Sequence, residues 1–161
     1  MLLRICEWLQ HNGFIVFVNS SVVTASTLEI IHFVSFFVLV GSLVAVDLRI
    51  LGLAARKMKS GSLVQYAFPW MWTGFIVAVI SGFLMFAIDS TEYLHNTVFH
   101  EKLYSLLFTL IFAIIIQKNV GKWDQSPQTP VFAKLIALLC LVSAVAMILM
   151  GVDVPALTGV G

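Results

Sequence analysis

The sequence predicts an all-α protein, a four-helix transmembrane bundle preceded by a short N-terminal interfacial amphipathic helix. Three observations carry this. The 161-residue chain is 60% apolar and only 11% charged, where a soluble domain carries about 25% charged residues. Its mean hydropathy is +1.02, so a bilayer must serve as solvent for surface that no soluble core of this size could hide. Four long apolar runs fill most of the length, each near the roughly 20 residues that a spanning helix needs. One domain of four spans leaves no room for a separate catalytic domain. The net charge of +1 points to no nucleic-acid partner. Cys6 and Cys140 are far apart, without a CxxC or a zinc spacing, and read as apolar fillers. The N-terminus lacks the form of a secretory signal, so Met1 onward reads as mature protein.

Residues 1–25 form the interfacial segment. Leu2, Leu3, Ile5, Cys6, Trp8 and Leu9 alternate with Arg4, Glu7, Gln10 and His11, which suits a helix lying at headgroup depth. Asn12-Gly13 breaks it, and the apolar stretch 14–18 is too short to span. The transmembrane domain covers 26–152, with spans at about 27–53, 64–88, 99–118 and 132–151. Ser26 or Thr27 can cap the first span, with Glu29 in its first turn. The basic cluster Arg56-Lys57-Met58-Lys59 and the turn Ser60-Gly61-Ser62 follow. Pro69 sits in the first turns of the second span, where a missing N–H is tolerated. The third span has a short apolar part, so Lys102 and Lys118 must snorkel at its ends. Pro127 and Pro130 mark the linker before the fourth span, and 153–161 is a tail with Asp153 and Pro155.

Lysine and arginine concentrate in the first and third loops, with Arg56, Lys57 and Lys59 in one and Lys118, Lys122 and Lys134 around the other. The positive-inside rule then places these loops in the cytoplasm and both termini in the periplasm. Ionisable groups within spans are costly and kept mainly for a purpose. Glu29 and His32 share a helix face at the outer end of span one. His32 reads either as an interfacial histidine bonded to Glu29 or a carbonyl, or as an axial ligand to a b-type haem. His100 opens span three at a similar depth. It is either a local interfacial residue or the second imidazole that clamps a haem iron or holds copper. Lys102 either snorkels or offsets a haem propionate. Asp47 and Arg49 close span one, where an ion pair pinning the inner end of the bundle is expected and a proton relay is the lesser reading. Gly41 with Ala45, and Gly74 with Gly82, make small-residue strips that suit close helix packing or room for a planar cofactor. No nucleophile–base set, P-loop, GxGxxG or metalloprotease motif occurs, which argues against a hydrolase.

Cys6-Glu7-Trp8-Leu9, Glu29-x-x-His32, Asp47-Leu-Arg49-Ile-Leu-Gly52, Pro69-Trp70, Ser81-Gly-Phe-Leu-Met-Phe86 and Tyr93-x-His-Asn96-x-x-Phe99-x-x-Lys102-Leu, in this order, resemble a family of uncharacterised four-span bacterial inner-membrane proteins. The chain is distantly similar to HemJ-type protoporphyrinogen oxidases and to CopD-like copper-resistance proteins. The HemJ-type resemblance implies that His32 and Lys102 act as a pair. The chain departs from that pattern between Phe108 and Gln117, where further tryptophan and histidine would be expected.

The leading expectation is a small b-type haem protein for electron transfer in the outer half of the bacterial inner membrane. His32 and His100 would be axial ligands, Glu29 would orient the His32 ring, and Lys102 would meet a propionate. The electron would pass between quinone and a periplasmic partner. The alternative is a cofactor-free scaffold or anchoring subunit that oligomerises through the glycine strips. A HemJ-like porphyrinogen oxidase is the third reading.

Overall fold

The computed structural model describes the backbone of residues 2–158, and the side chains of that stretch except those at 2, 3, 5 and 151–158. Among the described residues the chain is helical, without strands. The helices are α1 (Leu2–Gln10), α2 (Gly13–Asn19), α3 (Val22–Ile50), α4 (Ser60–Ile88), α5 (Ser90–His95), α6 (Thr97–Trp123) and α7 (Val131–Thr158). α3, α4, α6 and the Val131–Met150 part of α7 are long and apolar enough to cross a membrane. The chain is therefore a multi-pass membrane protein with a bundle-like core.

Apolar residues at helical spacing build that core. Leu39, Leu43, Val46 and Ile50 of α3 are buried against Phe68 and Met71 of α4, Ile116 of α6, and Ala137, Cys140 and Met147 of α7. Val22, Phe37, Tyr66, Trp70 and Phe132 are exposed on the outside, where lipid replaces water. α3 packs on α4 and α7, and α6 packs on α7, while α4 and α6 touch only lightly. Gly74 makes the α3–α4 approach possible. A Cβ there would lie 2.7 Å from the Ser35 carbonyl oxygen and 2.8 Å from the Leu39 amide nitrogen. Gly74 of the Gly74/Gly82 strip thus serves close packing within the chain, while Gly82 lies against the His32 ring. Gly41 has nothing within 4 Å of a would-be Cβ, and it and Ala45 are exposed.

Helix ends differ from the expected ones for local reasons. α3 starts at Val22, after an extended Ser21, and Thr27 lies inside it with its hydroxyl donating to the Val23 carbonyl at 2.7 Å. α3 stops at Ile50 because Gly52 takes φ +77, and the Leu53 amide then folds back on the Leu48 carbonyl at 2.9 Å. A left-handed residue after the last turn is a glycine's role. α4 starts at Ser60, earlier than expected, because Asp124 supplies its N-terminal acceptor from a distant linker. Ser60 N and Gly61 N donate to its two carboxylate oxygens at 3.1 and 2.6 Å. Asn96 caps α6 by accepting from Phe99 N at 3.2 Å. α6 continues through Gln117 and Lys118 to Trp123, since a helix end that leaves the hydrocarbon can be polar.

The N-terminal segment is two helices rather than one. Asn12 caps α2, which buries Ile15 and Val18, so 14–18 is a docked turn of helix. α1 is tied to α5: Ser90 donates to the Cys6 carbonyl at 3.2 Å and Gln10 to the Thr91 hydroxyl at 2.8 Å. Trp8 stays 66% exposed.

Candidate functional site

Where α4 and α6 diverge, a cavity of about 400 Å³ opens between α3, α4, α5 and α6, with Met147 of α7 at its floor. Its size falls within the range of small-molecule pockets. Three polar side chains line it, His32, Tyr93 and Lys102; the rest of the lining is apolar or glycine. Phe33, Val79, Phe83 and Leu103 belong both to the lining and to the exposed outer surface, so the cavity opens sideways on the flank of the bundle.

His32 is held by α4. Its Nδ1 lies 3.0 Å from the Ser81 hydroxyl oxygen. That hydroxyl is already committed as a donor to the Val77 carbonyl at 2.7 Å, so it accepts from Nδ1–H. This network assigns the neutral ring's lone pair to Nε2. The ring edge rests on Gly82, where a Cβ would come within 2.9 Å of Cε1. Serine and glycine in succession therefore set the tautomer and make room for the ring. Ser81 and Gly82 stand out in the sequence only as small residues, and their role toward His32 depends on the α3–α4 register.

Lys102 reaches into the same cavity, with Nζ 5.8 Å from the centre of the Phe36 ring. Among the described residues no acidic side chain lines the cavity. An ammonium on an apolar wall without a carboxylate costs free energy unless a partner answers it. The upper wall is aromatic. Phe86 and Phe99 stack at 5.5 Å between centroids and Tyr93 packs on Phe99 at 5.3 Å. Burial, helped by the carboxylates of Asp89, Glu29 and Glu92, holds the Tyr93 phenol above its ordinary value. Burial and the neighbouring Glu92 likewise push the Asp89 carboxyl up.

Two of the four expected cofactor residues meet in this cavity, His32 and Lys102. His100 does not line it. It stands two positions from Lys102, about 200° round the helix, and its Nδ1 donates to the Asn96 carbonyl at 2.8 Å. His32 and His100 are therefore not brought together on this cavity. Glu29 does not orient His32 either: it is exposed, and the ring has turned to Ser81 on α4. The expected Asp47–Arg49 ion pair does not form. Arg49 Nε donates to the Met58 carbonyl, whereas both Asp47 oxygens are buried without a hydrogen-bond partner. Residues two apart on a helix diverge, and the loop after α3 offers Arg49 a carbonyl close by. His95 and His11 bond locally to the Thr91 and Glu7 carbonyls at 2.9 and 2.7 Å. Among the described residues no group of three or more His, Cys, Asp or Glu side chains gathers to hold a metal ion. Cys6 and Cys140 are buried free thiols. Asp153, expected in the tail after the fourth span, lies outside the described side chains.

A family model described as a family of unknown function (DUF6644) matches residues 6–159. No curated protein and no solved structure matches the chain.

Proposed function

The chain belongs to this family of unknown function, and from that premise we propose that the protein is a small multi-pass membrane protein that holds a b-type haem in the cavity for electron transfer. The observation that carries the proposal is the convergence of His32 and Lys102 on one aromatic-walled, otherwise apolar cavity. The donor set suits the group. His32 presents an Nε2 lone pair, and an imidazole nitrogen is the ordinary protein ligand to haem iron. Lys102 answers a propionate as a charge-assisted partner. The aromatic wall of Phe86 and Phe99 suits a flat macrocycle, and the thioethers of Met85 and Met147 belong to the same lining. Haem would supply one-electron chemistry; the chain's own work is to orient the imidazole through Ser81, exclude water with apolar walls and balance the acid charge with Lys102. His32 serves in this reading without His100.

With the basic loops taken as cytoplasmic by the positive-inside rule, the cavity would lie in the outer half of the bacterial inner membrane. Membrane quinone and a periplasmic protein are the expected electron partners. The test is an absorption spectrum of protein purified from a haem-replete host. A Soret band that survives His100→Ala and disappears in His32→Ala is expected. A colourless protein would leave the cofactor-free scaffold. A second reading draws on the same His32–Lys102 convergence, which is the pair that the HemJ-type resemblance implies. Porphyrinogen turnover in membranes that is abolished by Lys102→Ala would select that enzyme.

A further inference from the structure

Exposed cations crowd the end of the bundle opposite the cavity. Arg56, Lys57 and Lys59 stand in the loop between α3 and α4, Lys118 and Lys122 in the last turns of α6, and Lys134 in the first turn of α7. The end of α3 at Ile50 lies about 27 Å along the helix from His32, so this surface is separate from the cavity. No acid occurs between Asp47 and Asp89, and Asp124 is the only one between Glu101 and Asp153. Asp47 is buried in the core. Asp124 is therefore the one surface carboxylate beside these cations.

That carboxylate is committed elsewhere. Its two oxygens accept from Ser60 N and Gly61 N at 3.1 and 2.6 Å. The same contact joins two basic segments that are far apart in sequence. Lys59 immediately precedes Ser60, and Lys122 stands two positions before Asp124. Closing the Ser60–Asp124 contact sets the two segments side by side. Like charges held together repel, and an anion received between them relieves that cost.

The surroundings select the kind of anion. Leu53 and Met58 in the first loop are exposed, as are Tyr66 and Trp70 farther along α4. Tyrosine and tryptophan belong at the level of lipid headgroups. A soluble polyanion would meet the cations and leave these apolar side chains uncovered. A phospholipid meets both, with its phosphate on the cations and its chains along α4.

We propose that the α3–α4 loop and the end of α6, joined through Asp124, form a binding site for the headgroup of an anionic phospholipid. Clusters of lysine and arginine beside a spanning helix have this affinity in general. Here the cluster is assembled by a tertiary contact rather than by one run of sequence.

Native mass spectrometry of the full chain in detergent tests this, and its outcome is independent of any pigment. The probes are phosphatidylglycerol, phosphatidylcholine with the same acyl chains, and inorganic pyrophosphate. Phosphatidylglycerol should bind more tightly than phosphatidylcholine. Lys59→Gln and Lys122→Gln should each weaken phosphatidylglycerol about fivefold, the effect of one cation at an anionic surface, and leave phosphatidylcholine unchanged. Asp124→Ala separates a built site from a diffuse field. Removing an acid strengthens attraction to a diffuse field, whereas parting the two segments weakens a joint site, so weaker binding is expected. Should that variant fail to fold, the two lysine variants still decide. Equal binding of the two lipids overturns the proposal, as does an effect of only one of the two lysines, or tighter binding in Asp124→Ala. Pyrophosphate that displaces phosphatidylglycerol would assign the cations to a soluble phosphate and overturn the lipid site.

Discussion

His32 depends on one hydroxyl. Ser81 accepts from Nδ1 and is itself anchored on the Val77 carbonyl, so Ser81→Ala frees the ring to turn and to exchange its tautomer. Partners behind a ligating imidazole are worth about 10- to 100-fold in affinity. Haem titration of Ser81→Ala should show weakening at the lower end of that range, with the fold intact. Asp89 gives a pH signature at the same scale. Burial and Glu92 raise its carboxyl, so the folded protein holds this proton more tightly than the unfolded chain. Its contribution to stability is then greatest in acid. It falls away as pH rises from the unfolded value of about 3.9 through the raised folded one. Asp89→Asn cannot titrate, so its melting temperature in detergent should gain on wild type as the pH is raised through that window.

The elements are held by groups that lie far away in sequence. Asp124 follows α6, yet it caps the start of α4 with two hydrogen bonds. Asp124→Ala should cost about 1 kcal/mol, the usual value of an N-cap, read as a lower melting temperature with faster amide exchange in the first turn of α4. The same contact explains Gly61, where a Cβ would come within 2.9 Å of the Asp124 carboxylate. At the other end of α3, Gly52 holds φ +77, and Gly52→Ala should cost about 1 kcal/mol through left-handed strain. That glycine stood in the Asp47-Leu-Arg49-Ile-Leu-Gly52 motif, but the hydropathy pattern ran the span past it to residue 53. The Asp124 cap was not legible at all, because a capping residue 63 positions away leaves no local spacing to recognise.

For the whole molecule, the question is which surfaces face a partner and which face lipid. Gly41 and Ala45 are both exposed, and a Cβ at Gly41 would meet nothing within 4 Å. Gly41→Leu should leave the melting temperature of the isolated chain unchanged within the roughly 0.5 kcal/mol of a neutral surface change. A shift in the cross-linked species of the same variant would assign that strip to a second copy. The contact between α3 and α4 through Gly74 is closed by contrast, and there a larger residue would part the two backbones.

The sequence alone determined that a bilayer is the solvent, that four helices can cross it, and which few ionisable residues stand within or at the ends of those helices. Hydropathy sums along the chain, and a run of apolar residues too long for any soluble core has one physical outcome. Only the tertiary structure decided that His32 meets Lys102 rather than His100, that Ser81 rather than Glu29 orients the imidazole, and that Asp47 stands alone while Arg49 turns away. Each residue advances a helix by about 100°, so the partner of a side chain depends on the rotation and register of neighbouring helices. Backbone contacts such as Gly74 against Ser35 and Leu39 set those quantities, and hydropathy carries no information about them.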